Sequence, residues 1–196
     1  MIHSLSCGKI TRHTDGLCRC MNSVALVMTI CLYVAETIPT LWPTVNAFVK
    51  KHPTYVAEDN AEHFMVDDPT QGLDGKYNLC HVPPFPVYSL QQFWSNFEIA
   101  DLRFFRSQVY SDYFEYLDKT GGFFYERWGD APVHSIAATF FLPKSQIHFF
   151  HDIGYRHSPY IRCPQDEESH LSGRCSCERA NNFGTCIFII MSNCRL

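Results

Sequence analysis

An α/β layered domain is the fold this sequence predicts, from its length, its apolar content and the alternation of short strand-like runs with amphipathic helical stretches. The chain has 196 residues, and at roughly 150 residues per domain that is one globular unit. Hydrophobic residues make up 46% and aromatic residues 15%, which supplies a packed core and excludes wholesale disorder. Sixteen Lys and Arg against twenty Asp and Glu give a net charge of −4. No basic run interrupts that balance, so a phosphate backbone has no surface to track and nucleic acid is excluded as a partner.

The first strand is read at 24–33, a short, apolar and partly β-branched run. It is too short for a membrane-spanning helix of about 20 residues. The 21 residues at the N-terminus are polar and carry no secretory signal, and 1–23 is assigned no fold. A helix follows, with Thr37 as N-cap and Leu41, Val45, Phe48 and Val49 on one face. Pro43 falls in its first turn, and His52-Pro53 stops it. The stretch 58–76 turns acidic and reads as a surface loop.

The segment 82–92, VPPFPVYSLQQ, is a proline-rich interruption expected to be irregular. Residues 93–99 then alternate, placing Phe93, Phe97 and Ile99 on one strand face and Trp94, Asn96 and Glu98 on the other. Asp101 caps a helix in which Leu102, Phe105, Val109, Tyr113 and Tyr116 recur at helical spacing until Gly121-Gly122. A strand at 123–128 leads to a short helix from Asp130 with Pro132 in its first turn, and 147–150 is the last strand. Strands alternating with helices place polar residues at strand ends, where chemistry is usually done in such folds.

Three groups of residues bear on chemistry. Trp94, Asn96 and Glu98 have the composition of a sugar site: an indole lies against the C–H face of a pyranose, an amide binds hydroxyls, and a carboxylate meets a developing cationic anomeric carbon. The same pattern also fits an edge strand with a solvated polar face. Glu126, Arg127 and Asp130 sit at a turn before a helix, where Asp130 serves equally as N-cap, and His134 shares its helix face one turn on. His148, His151 and His157 crowd one stretch, and neutral imidazole suits Mn²⁺ or Zn²⁺. Ten cysteines, among them Cys18, Cys20, Cys163, Cys175 and Cys177, indicate an oxidising, lumenal compartment. With His170, the last three also outline a thiolate zinc cluster, although disulfides suit the C-x-C spacing better.

The segments FWSNFEIADLRFFRS at 93–107, YFEYLDKTGGFFYERWGDAPVHSIAA at 113–138 and IHFFHDIGYRHSPY at 147–160 resemble the fungal α-1,2-mannosyltransferases of the KRE2/MNT1 type. ETIPTLWP at 36–43 and KKHP at 50–53 fit the same pattern. The resemblance implies a GT-A-like layered nucleotide-sugar transferase fold, incomplete in its N-terminal half, with residues 24–177 forming the C-terminal part of the catalytic domain and 178–196 an unassigned tail. It implies a retaining enzyme that moves mannose from GDP-mannose to α-mannoside acceptors, uses Mn²⁺, and works in the Golgi lumen behind a type II membrane anchor. By motif, Glu98 is the carboxylate near the anomeric carbon, Trp94 and Asp130 face the acceptor, and His157 is the metal ligand. Asn96, Glu126, Arg127 and His134 support the site.

The sequence departs from that pattern in two places. It contains neither E-P-D nor D-x-D, so a truncated chain of weak or no activity is expected. In the family a C-H pair runs directly into F-W-S-N-F-E, whereas here 82–92 separates His81 from Phe93; its terminal Val and Gln codons are compatible with a retained intron. A mannoside-binding pseudoenzyme and a thiolate zinc module are the alternative readings.

Overall fold

The structure, a computed structural model, describes residues 4–7, 24–26, 29–31, 37–62, 65, 91–96, 98–150, 152–157 and 160–180. Among the described residues the strands and α-helices follow in this order: β1 (Ser4–Cys7), β2 (Val24–Leu26), β3 (Thr29–Cys31), α1 (Leu41–Lys51), β4 (Gln91–Phe93), β5 (Glu98–Ala100), α2 (Leu102–Phe105), α3 (Gln108–Thr120), α4 (Gly122–Tyr125), α5 (Asp130–Phe141), β6 (Ile147–Phe149), β7 (Gly154–His157), β8 (Tyr160–Arg162) and α6 (Glu167–Ser172). Among the described residues, runs of strands are interleaved with runs of helices, so the chain is the mixed helix and strand expected.

The strands form small sheets that join distant segments. β2 is central between β5, antiparallel with Leu26 opposite Glu98, and β6, parallel with Leu26 opposite Phe149. β3 pairs with β4, Thr29 opposite Phe93. β1 pairs with β7, which turns back onto β8. The N-terminal residues are therefore not all irregular, because Ser4–Cys7 completes a sheet edge.

The core lies where the helices meet. α1 packs on α3, α3 on α5, and α5 on β4. Phe48 of α1 is fully buried, with the rings of Tyr113, Tyr116 and Phe141 at 5.5, 5.4 and 6.0 Å. α5 is apolar nearly all round and sits deepest, consistent with a helix surrounded by protein rather than amphipathic at a surface. Its buried Ser135 hydroxyl accepts from Phe93 N at 2.7 Å, tying helix to strand. The last carbonyls of α5, which have no partner inside the helix, accept from Ala57 and Ala61 of the loop after α1, each at 2.9 Å.

Several elements differ from the sequence expectations for identifiable reasons. The run at 24–33 holds two short strands in different sheets. α1 begins after Thr40 rather than Thr37, with Pro43 in its first turn and His52 as its C-cap, as expected. The alternation at 93–99 is likewise divided, β4 and β5 belonging to different sheets with a turn at 94–96 between them. Trp94, Asn96 and Glu98 therefore do not share one strand face. The expected helix from Leu102 breaks where Ser107 caps α3, accepting from Tyr110 N at 3.2 Å, and Gly121 at φ 80° ends α3 as expected.

The expected strand at 123–128 is instead the helical turn α4, with Phe124 and Tyr125 donating back to Gly121 O. Short aromatic runs carry no period that separates the two states. β6 is not the last strand, since β7 and β8 follow it. Of the interruption at 82–92, Gln91 and Gln92 lie in β4 and Gln92 is buried. The rest of that segment lies outside the described residues.

Candidate active site

Two elements bring the central residues together. β5 is held in register by β2, which places Glu98 at its start. α5 begins at Asp130, with Gly129 rather than Asp130 as N-cap, and exposes His134 one turn later. The two meet: His134 Nδ1 lies 3.2 Å from Glu98 Oε2, with the glutamate side chain 13% exposed and the imidazole 33%. The carboxylate is sheltered and still reachable.

Asp130, in the first turn of α5 where the helix dipole favours a negative charge, accepts from Ser95 Oγ at 2.6 Å. That bond fixes the turn between β4 and β5. Tyr110 of α3 lies near both acids: burial first, then the Glu98 and Asp130 carboxylates, push its phenol well above its ordinary range. Phe105 and Tyr110 bracket the imidazole of His134 at 4.9 and 6.2 Å. Asp101, directly after β5, is held low by hydrogen bonds from Arg103. The result is a group of acids and an imidazole beside two aromatic rings.

Of the residues expected in the site, Glu98, Asp130 and His134 are brought together. Trp94 is only 7% exposed and packs edge-on against Tyr155 at 6.3 Å, so little of its indole reaches solvent. Asn96 is exposed on the turn beside it. Glu126 has a structural role: its carboxylate accepts from Thr40 N, Thr40 Oγ1 and Trp128 Nε1, tying the start of α1 to the segment before α5. Burial pushes its pKa up, and those hydrogen bonds outweigh the push and hold it low. The Arg127 side chain is exposed, while its backbone N–H donates to Thr37 O at 2.9 Å. Sequence reasoning missed Ser95 and Tyr110. Ser95 lies inside the quoted motif, and Tyr110 is legible as i−3 to Tyr113 on the buried face of α3.

His157 lies in β7 opposite Tyr160, with its side chain outside the described residues, as is His151. Among the described residues, the one group of three ligand atoms within 4.8 Å of one another is Cys163, His170 and Cys177. Cys163 and Cys177 form a disulfide, Cα–Cα 5.9 Å, and Cys175 is disulfide-bonded as well. Oxidised sulfurs are not thiolate ligands, so the cluster is not the zinc module outlined by the sequence. Nor does that cluster suit Mn²⁺, which takes oxygen and imidazole donors.

Comparison with known proteins identifies the family. The sequence model described as glycolipid 2-alpha-mannosyltransferase matches residues 20–193. The chain belongs to this family of glycosyltransferases. It is 55% identical over 143 residues to an O-glycoside alpha-1,2-mannosyltransferase homolog of Schizosaccharomyces pombe, covering 73% of this chain and 35% of the relative. To the glycolipid 2-alpha-mannosyltransferase of Saccharomyces cerevisiae it is 54% identical, covering 75% of this chain and 30% of that protein. The chain thus spans about a third of the length of these curated relatives.

Among solved structures, an S. cerevisiae mannosyltransferase superposes with a TM-score of 0.74 at 33% identity, over 96% of this chain and 46% of that one. Core-mannan synthase A from Aspergillus fumigatus, in its Mn/GDP form, gives 0.68 at 35% identity, over 93% and 45%. The layered fold expected from the sequence is the fold of these mannosyltransferases.

Proposed function

We propose that the chain carries part of the catalytic domain of a retaining α-1,2-mannosyltransferase, which moves mannose from GDP-mannose to an α-mannoside acceptor on N- or O-linked glycans and cell-wall mannan. The observation that carries this reading is the sheltered Glu98 carboxylate, fixed between a sheet and a helix beside Asp130 and Tyr110. As the bond to the diphosphate lengthens, positive charge grows on the anomeric carbon and ring oxygen. A carboxylate held there offsets that charge only in the transition state, or attacks the carbon directly. Asp130, anchored by Ser95, supplies a second carboxylate for acceptor hydroxyls, and Trp94 backs the turn that carries them.

Mn²⁺ is the cofactor we assign to the whole protein, because a family member of known structure carries it with GDP; His157 is its ligand here by motif. Without an E-P-D motif in these residues, the chain by itself turns over weakly or not at all. The compartment that suits ten cysteines and a disulfide is lumenal, and for this family we assign the Golgi. Among the described residues no helix is long and apolar enough to cross a membrane.

The test is Glu98→Gln in a full-length enzyme containing these residues. It keeps the shape and removes the charge, so kcat should fall by about 10² or more while acceptor affinity stays within several-fold. Near-normal turnover would leave Glu98 a structural carboxylate. In the same enzyme His157→Ala should weaken the Mn²⁺ dependence of the rate, and an unchanged metal titration would remove it from the ligand set. The second reading, a mannoside-binding protein without transfer, is distinguished by calorimetry: mannoside binding with no GDP-mannose turnover in the full-length enzyme would establish it.

A further inference from the structure

We propose that His134 is a positioning residue acting through Glu98: its Nδ1–H holds Oε2 and thereby sets Oε1 toward the sugar. The inference rests on the reading of Glu98 given above and adds to it the residue that orients the carboxylate.

The terminal torsion of a glutamate is broad, so a carboxylate at a strand start has no orientation of its own. Something must fix its plane. Among the described residues, one side-chain hydrogen bond reaches the Glu98 carboxylate, that of His134 Nδ1 to Oε2 at 3.2 Å. The imidazole itself is constrained. It stands on α5, whose neighbouring residues Val133, Ser135, Ile136 and Ala137 are buried. Phe105 lies at 4.9 Å with its plane tilted 49°, and Tyr110 at 6.2 Å edge-on.

The competing acid is also accounted for. Asp130, one turn earlier on the same helix, accepts from Ser95 Oγ instead. That leaves the imidazole to Glu98. For Nδ1 to donate to a carboxylate it must carry the proton, which the geometry requires and which can be observed directly. A carboxylate pinned by one oxygen presents the other in a fixed direction, and misplacement of such a group costs rate rather than substrate affinity.

Two measurements test this. In the 196-residue chain, ¹⁵N NMR of the His134 ring should show Nδ1 protonated, and Glu98→Gln should shift that resonance. An Nε2–H tautomer with bare Nδ1 would overturn the proposal whatever Glu98 does. In the full-length enzyme, His134→Ala should lower kcat by about tenfold or more with little change in KM for GDP-mannose. His134→Asn, whose amide nitrogen stands near the Nδ1 position, should restore most of it.

Failure of Asn to rescue, with a melting temperature lowered as far as in the Ala variant, would show a structural role and overturn the proposal. If Glu98→Gln lowers kcat while both His134 variants turn over normally, the positioning role is wrong and the reading of Glu98 stands. If Glu98→Gln itself turns over normally, both fall.

Discussion

Gly122 and Trp128 meet at a distance that admits no side chain on the glycine. A Cβ there would lie 2.2 Å from Trp128 Cε2, and the indole is buried and cannot swing away. Its Nε1 donates to Glu126, which in turn holds Thr40. The ring therefore links α4, the segment leading into α5, and the start of α1. Gly122→Ala should destabilise the fold by about 1–3 kcal/mol, the usual scale of overpacking, measured as a lowered urea midpoint. Wild-type stability would mean that the ring and α4 part without cost. At the same scale, Glu98 and Asp130 were legible as acids of interest from their motifs. Their union through His134 and Ser95 was not, because it joins residues 35 and 36 positions apart.

The helices are held by a few large rings rather than by their caps. Phe48 on α1 is fully enclosed by residues of α1, the turn after it, α3 and α5. Removing it leaves a cavity at the meeting point of three helices. Phe48→Ala should cost about 3–5 kcal/mol, within the range for buried aromatic truncation, and that is a large share of the roughly 5–15 kcal/mol that holds a domain together. Leu102→Ala, at a residue 57% exposed on α2, should stay within about 0.5 kcal/mol. Equal effects in chemical denaturation would place the core elsewhere. The α1 pattern was legible from Leu41, Val45 and Phe48 at helical spacing. The break between α2 and α3 was not, because Ser107 competes as a cap with a continuous helical period.

For the molecule as a whole, acid is the expected weakness. Hydrogen bonds from Tyr55 and Gln108 hold Asp112 below the usual carboxylate range, Arg103 does so for Asp101, and at Glu126 the bonds from Thr40 and Trp128 outweigh burial. Each of these groups binds its proton less readily folded than unfolded. Their contribution is present above the ordinary carboxylate pKa and is lost as pH falls through the folded values. Urea midpoints should therefore be flat from about pH 7 to 5 and fall steeply toward pH 3. A midpoint unchanged at pH 3 would show that these bonds add nothing. Tyr110 acts in the opposite direction: its neutral phenol is favoured in the fold, so stability also declines above the ordinary phenol range.

What the sequence by itself determined is the class and the chemistry on offer: an α/β chain, cysteines suited to disulfides, and the motifs containing Glu98, Asp130 and His134. These are properties of composition and local order, and they survive any error in strand boundaries. The tertiary structure alone decided which sheet each short strand joined, that 123–125 coil into a helical turn, and that Glu126 serves the fold. It also decided that Trp94 packs away beside Tyr155 while Glu98 remains reachable. The physical reason is the same in each case: three- and four-residue segments carry too little periodicity to specify their own state, and long-range pairing and burial settle it.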